Sequence, residues 1–169
     1  MRIKTERLEI VDLDISMAKD VYLLSQDEDM QKYLPDEIFN SEKEAKEMII
    51  SLLTFYETKN GPLIYPILLA NKYIGYVEIV PLQDKWEIGY HIGKAYTKNG
   101  YANEAIKAFL PVIMDELDID EVIGVCVSEN ISSIKVLEKC GFVKYFEGIS
   151  KYLGKEREIC KYRYLKTDH

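Results

Sequence analysis

The chain of 169 residues holds three cysteines, Cys126, Cys140 and Cys160, and two histidines. An odd cysteine count without metal-ligand spacing argues against a disulfide framework and against a zinc cluster. The thiols therefore read as reduced, mostly buried packing residues, and no metal site is expected. No apolar run approaches the roughly 18 residues that span a bilayer. The first residues also lack the apolar segment of a secretory signal, so no membrane association and a soluble, cytoplasmic protein are the expectation. Repeats and low-complexity tracts are absent. Positive charge is in deficit: 22 Lys and Arg against 29 Asp and Glu leave a formal charge of −7. That balance disfavours a nucleic-acid partner, which needs a basic face. It tilts slightly toward a cationic partner such as an amine.

What is present suits one globular domain over residues 1–169, since 47% of residues are hydrophobic and 30% charged. Alternation over Arg7–Val11 predicts a strand, and Ile15, Ala18, Val21, Tyr22 and Leu24 line one face of a helix over Ile15–Ser25, capped by Asp14 or Ser16. Gln31–Asn40, with Pro35, reads as an irregular connection. Ser41 and Glu44 form a capping box that opens a helix over Glu42–Thr58. Leu63–Ala70, Tyr73–Val80 and Trp86–Ile92 read as a meander, Glu121–Val127 as a further strand, and Val143–Leu153 with Arg157–Leu165 as a closing hairpin around Gly154-Lys155. Together with helices opening near Gly100 and Asn130, these predict an α+β fold. Its sheet would be mixed and mostly antiparallel, of six or seven strands, with about four helices on both faces.

The most telling stretch is Trp86–Leu110, where an alternating apolar run breaks into a polar loop and re-emerges as an amphipathic helix. The free N–H groups of a first helical turn and the positive end of the helix dipole attract an anion. Here they would face it above Asn99–Asn103, with Gly100 permitting a close backbone approach and Ala102 too small to obstruct it. Taken alone, the same residues also describe an ordinary turn before a helix. Lys94, Lys98, Lys135 and Lys139 cluster in sequence around this region, either to meet phosphates or as solvated side chains.

A second block changes that balance. After the strand Glu121–Val127, the run Ser128–Phe142 reads SENISSIKVLEKCGF, and Asn130, Ser133, Val136, Leu137, Glu138, Lys139, Gly141 and Phe142 match a pattern that resembles the GNAT superfamily of acyl-coenzyme A N-acyltransferases. The GNAT pattern at the phosphate loop, Gln or Arg followed by x-x-Gly-x-Gly/Ala, is met by Thr97–Ala102 except at its first position. Thr5–Asp14, opening T-E-R-L, and Glu87–Tyr90, E-I-G-Y, resemble the branch that contains N-terminal acetyltransferases of ribosomal proteins and many relatives of unassigned substrate. The resemblance implies acetyl-coenzyme A as co-substrate and an amine acceptor, with dimerisation common in the family. Its pyrophosphate would lie on Lys98, Asn99, Gly100, Tyr101, Ala102 and Asn103. The pantetheine arm would pair with backbone groups of Tyr90, His91 and Ile92 where two strands splay, and with Asn130.

Acyl transfer to an amine needs a base, because an amine with a pKa near 10 is mostly protonated at neutral pH. Glu87 and Glu78 each interrupt an apolar strand and are the candidates; either would alternatively sit on a solvated sheet face. His91, and Glu37 in the connection after Gln31, stand behind them. Many GNAT members carry a tyrosine as general acid where this chain has Leu137, and in the ribosomal-protein branch a serine near the thiol is implied instead. Ser133, with Ser132 behind it, is that candidate, the alternative being that both only open the helix. The reading is an N-acetyltransferase working by direct transfer in a ternary complex. A non-catalytic acyl-coenzyme A-binding module is the alternative.

Overall fold

A computed structural model describes residues 1–167. The elements run β1 (Arg2–Lys4), β2 (Leu8–Val11), α1 (Ala18–Ser25), α2 (Glu28–Tyr33), α3 (Glu42–Leu53), α4 (Phe55–Thr58), β3 (Leu63–Leu69), β4 (Lys72–Pro81), β5 (Trp86–Ile92), α5 (Tyr101–Leu117), β6 (Glu121–Val127), α6 (Ile131–Lys139), β7 (Val143–Tyr152) and β8 (Lys155–Leu165). The strands form one sheet in the order β1-β2-β3-β4-β5-β6-β8-β7. Every neighbouring pair is antiparallel except β5 with β6. The α+β class is as expected, with eight strands rather than six or seven. The additional strand is β1, whose three residues pair with β2 and are too few to display alternation.

Local chemistry accounts for the other differences. Ala70-Asn71 and Leu153-Gly154 are two-residue hairpin turns with positive φ at both positions, 49° and 64° in one, 50° and 76° in the other. Such turns match the twist of the strands they join. They set the pairs Leu69–Lys72 and Tyr152–Lys155, so the closing hairpin turns one residue earlier than Gly154-Lys155. The helix expected over Glu42–Thr58 is interrupted at Thr54, whose hydroxyl donates back to the Ser51 carbonyl at 2.7 Å. Within Gln31–Asn40, expected to be irregular, lie the last turn of α2 and a single 3-10 turn at Pro35–Glu37, where proline suits a first helical position.

The sheet's two faces have different roles. Ile106, Phe109, Leu110 and Ile113 of α5 are fully buried against one of them, together with Tyr65, Val77, Ile79 and Ile88. Tyr65 and Phe109 contact with ring centroids 5.3 Å apart. Residues opposite one another in an antiparallel pair share a face. Glu78 opposes Gly89, Tyr76 opposes His91 and Val80 opposes Glu87. Tyr76, Glu78, Glu87 and His91 therefore lie together on the face away from α5.

Candidate active site

Although β5 and β6 are seven residues each, they pair at one position, Glu87 with Ile123. Beyond it the strands diverge, so the β6-side edge of Tyr90, His91 and Ile92 has no ladder partner among the described residues. The expected splay is present. An unpaired strand edge inside a sheet offers N–H and C=O groups to an extended amide chain.

At the end of β5 the chain passes through one 3-10 turn, Lys94–Tyr96, into the loop before α5. Lys98 and Gly100 both have left-handed backbones, at φ 65° and 79°. Gly100 is the N-cap of α5 and brings no capping side chain. Among the described residues the N–H groups of Tyr101, Ala102 and Asn103 have no protein acceptor. An anion resolves that deficit, because several N–H dipoles converge there with the helix dipole. Asn99 braces the loop through its Nδ2, which donates to the Tyr96 and Thr97 carbonyls at 3.1 and 3.0 Å. Lys98 is exposed, whereas Lys94 is paired with Glu28.

The opposite face carries the carboxylates. Burial, reinforced by the charges of Glu37 and Glu87, raises the Glu78 carboxyl above its ordinary value. Burial also pushes Glu87 up to about 7, against the opposing pull of Lys161. Glu78 fits because it lies over Gly89: a Cβ there would stand 2.4 Å from Glu78 Oε1 and 2.8 Å from its Cγ. The connection after α1 is pinned over this face at both ends. The Tyr76 hydroxyl donates to Glu37 Oε2 at 2.7 Å, and His91 Nε2 lies 3.0 Å from Asp27 Oδ2, which also accepts the Lys94 N–H at 3.0 Å. The His91 ring is thus engaged in holding the connection. Gly89→Ala is expected to leave the melting temperature within a few degrees of the parent while lowering kcat about tenfold, since the flexible Glu78 side chain moves and the backbone does not. Unaltered kcat would remove Glu78's position from the mechanism.

On the α5 face, at the start of α6, Asn130 Oδ1 accepts the Ser133 N–H at 3.2 Å. Asn130 is therefore the cap, and neither Ser132 nor Ser133 has that task. The Tyr90 hydroxyl lies 2.8 Å from Ser133 Oγ and 3.1 Å from the Ser133 carbonyl. Cys126, Cys140 and Cys160 are all free and buried. Burial pushes the Cys126 and Cys140 thiols up to about 12 and about 11, which removes their nucleophilic thiolates at neutral pH.

The sequence profile of the acetyltransferase (GNAT) domain matches residues 7–143. The chain belongs to the GNAT acetyltransferase family. An uncharacterised N-acetyltransferase of Bacillus subtilis, YnaD, is 29% identical over 147 residues, covering 83% of this chain and 82% of the relative. A GNAT-family acetyltransferase structure from Bacillus anthracis superimposes with a TM-score of 0.82 at 24% identity, covering 98% of each chain. A ribosomal L7/L12 alpha-N-protein acetyltransferase in complex with coenzyme A gives 0.86 at 17% identity, again over 98% of each chain.

Within the GNAT frame, the two departures noted in the sequence have structural counterparts. Leu137 is buried against Gly124 of β6, so no phenol arises from that position, and Tyr90 and Ser133 bring a pair of hydroxyls to that side. Thr97 contributes its hydroxyl to the Lys94 carbonyl and no charge to the loop. The cation beside the loop is Arg7, from the segment before β2. Arg7 and Gly89 were not singled out as site residues by sequence reasoning. Arg7 stood only as part of T-E-R-L and as the first residue of a predicted strand, about ninety residues from the loop, and Gly89 only as a letter between two strand residues.

Proposed function

We propose that this GNAT protein transfers the acetyl group of acetyl-coenzyme A directly to a primary amine in a ternary complex. The observation that carries the reading is the opening between β5 and β6, with an uncapped helix N-terminus at one end and half-buried Glu87 at its apex, Glu78 lying on the same face. The residues fit the co-substrate. Unpartnered N–H groups of Tyr101, Ala102 and Asn103, with Lys98, Asn99 and Gly100 shaping the loop, would hold the pyrophosphate. The free edge of Tyr90, His91 and Ile92, with the Nδ2 of Asn130, would pair with the pantetheine amides. When bound, acetyl-coenzyme A supplies an acetyl thioester and a thiolate leaving group.

Glu87, at the apex of the splay and poised near neutrality by burial, takes the proton of the incoming ammonium. Glu37, which accepts the Tyr76 hydroxyl, faces the same cation before it is deprotonated, while Glu78, held toward its neutral form by burial and by Glu37 and Glu87, stands over Gly89 beside it. Ser133, held by Tyr90, donates a proton toward the departing sulfur. The raised cysteine thiols support direct transfer over an acyl-enzyme route. The acceptor is a protein N-terminus or a small amine. The alpha-N-protein acetyltransferase among the structural neighbours supports the former, and the carboxyl-lined approach formed by Glu37, Glu78 and Glu87 suits either. A cytoplasmic location belongs to this reading; no helix among the described residues is long and apolar enough to cross a membrane.

Calorimetric titration with acetyl-coenzyme A followed by a thiol-release screen over N-terminal peptides, polyamines and amino acids tests the proposal. Binding with release on at least one amine is expected, and binding without any release would favour a cofactor-binding module. Ser133→Ala is expected to lower kcat about tenfold at constant KM for acetyl-coenzyme A. That lies below the usual 10²–10⁴ of acid–base groups, because a thiolate leaves readily even unprotonated. Tyr90→Phe should cause a smaller loss in the same direction. If Ser133→Ala matches the parent in kcat, the leaving sulfur is protonated by solvent.

A further inference from the structure

We propose that Arg7 is the positioning residue of the phosphate loop, a clamp from a distant part of the chain that replaces the charged side chain absent at Thr97. The inference rests on the reading of Lys98–Asn103 as the pyrophosphate site.

The Arg7 guanidinium grips the loop at three points. Its Nη1 donates to the Asn99 carbonyl at 2.9 Å. Its Nε donates to Glu104 Oε2 at 2.7 Å, and Nη2 stands at the same distance from that oxygen. Its plane lies over the Tyr101 ring, 4.6 Å from the centroid. The segment's backbone completes the attachment: the Arg7 N–H and the Thr5 hydroxyl both donate to Glu104 Oε1, at 2.9 and 2.6 Å. Burial of Glu104 opposes its ionisation, yet the hydrogen bonds from Thr5 and Arg7 together hold its carboxyl below the ordinary range.

These contacts bracket the unpartnered amides. Asn99 precedes Gly100, Tyr101 opens α5, and Glu104 closes its first turn by donating its N–H to the Gly100 carbonyl at 3.0 Å. In a trans peptide the carbonyl and the following N–H point in opposite directions. Tying the Asn99 carbonyl to Arg7 therefore turns the Gly100 N–H away from Arg7. The flanking left-handed residues, Lys98 and Gly100, give the loop no regular hydrogen-bond ladder to fix that plane. Arginine is needed because one planar fork must serve a carbonyl, a carboxylate and an aromatic face at once. Arg7 also neutralises Glu104, whose free carboxylate would otherwise repel a phosphate from within the first turn.

The test compares acetyl-coenzyme A with S-acetylpantetheine, which lacks the pyrophosphate, on the full chain. Arg7→Ala is expected to weaken acetyl-coenzyme A binding in calorimetry at least about tenfold, the scale of a lost charge-assisted hydrogen bond. Turnover of S-acetylpantetheine at low concentration should stay at the parent value. Arg7→Lys keeps the pairing with Glu104, and with it the attachment of the N-terminal segment, but should remain several-fold weaker than the parent toward acetyl-coenzyme A. Should Arg7→Ala fail to fold, the Arg7→Lys comparison of the two substrates decides alone. Parent-like binding by the Arg7 variants, full recovery in Arg7→Lys, or an equal loss on both substrates would each overturn the clamp. Gly100→Glu separates the two levels. If it too binds normally, the loop reading has failed; if it does not bind while the Arg7 variants do, only the clamp has.

Discussion

The Gly100→Glu protein is expected to fold and to show no measurable binding of acetyl-coenzyme A, a loss of at least about a hundredfold. Two effects act on different sides of the experiment. On the fold, a glutamate at φ 79° has a left-handed backbone, which costs about 1–2 kcal/mol. Space is available, since the nearest atom to a Cβ there is Arg7 Nη2 at 3.6 Å. On the ligand, the new carboxylate sits on the residue that immediately precedes the free N–H groups of Tyr101, Ala102 and Asn103, so its charge repels the pyrophosphate, and it stands near enough to Arg7 to draw the guanidinium from its partners. Circular dichroism and the melting temperature report the first effect, and calorimetry the second. Normal binding by a folded Gly100→Glu protein would place the cofactor elsewhere.

Glu87→Gln should lower kcat/KM for the amine about a hundredfold or more, the usual contribution of a general base. In the parent, activity should climb from pH 5.5 through the midpoint near pH 7 and lose that component of its rise above about pH 8, where Glu87 becomes almost fully ionised. The acceptor's own deprotonation adds a slope common to both proteins, because amine pKa values lie near 10. Glu87 therefore shows in the difference between the two profiles, and profiles of identical shape would remove it as the base. Stability carries an independent sign. The folded-state value of Glu87 lies above its unfolded value of 4.5, so the fold favours the neutral carboxyl. Its contribution is fully present below about pH 4.5 and is lost as pH rises through about 7. Between pH 5 and pH 8 the parent's melting temperature should fall by more than that of Glu87→Gln.

Much of this protein follows from local rules that act over a few residues. The alternation of β3, β4 and β5, the Ser41 cap of α3, whose hydroxyl accepts the Glu44 N–H at 3.2 Å, and the glycine that opens α5 are all such features. The two motif blocks around Gly100 and Asn130 brought the family with them, since their order and spacing are more specific than either block alone. Three-residue β1 and the break at Thr54 escaped, because short pairings and interrupted helices depend on neighbours distant in the chain.

For the site, sequence supplied the residue types and tertiary structure decided their partners. Glu78 and Glu87 were legible as carboxylates in apolar strands, but their common face is a property of the β4–β5 register and their raised values come from burial. Ser133 was legible as a hydroxyl near a helix start, and only packing joined it to Tyr90. Arg7 belonged to a motif with no visible task until the sheet carried it across more than ninety residues to Asn99 and Glu104. Backbone propensity and patterning are short-range, so the sequence by itself determined the elements, their order and the family. Electrostatics and hydrogen bonding act through space, so which side chains face one another was decided only when the sheet and α5 came together.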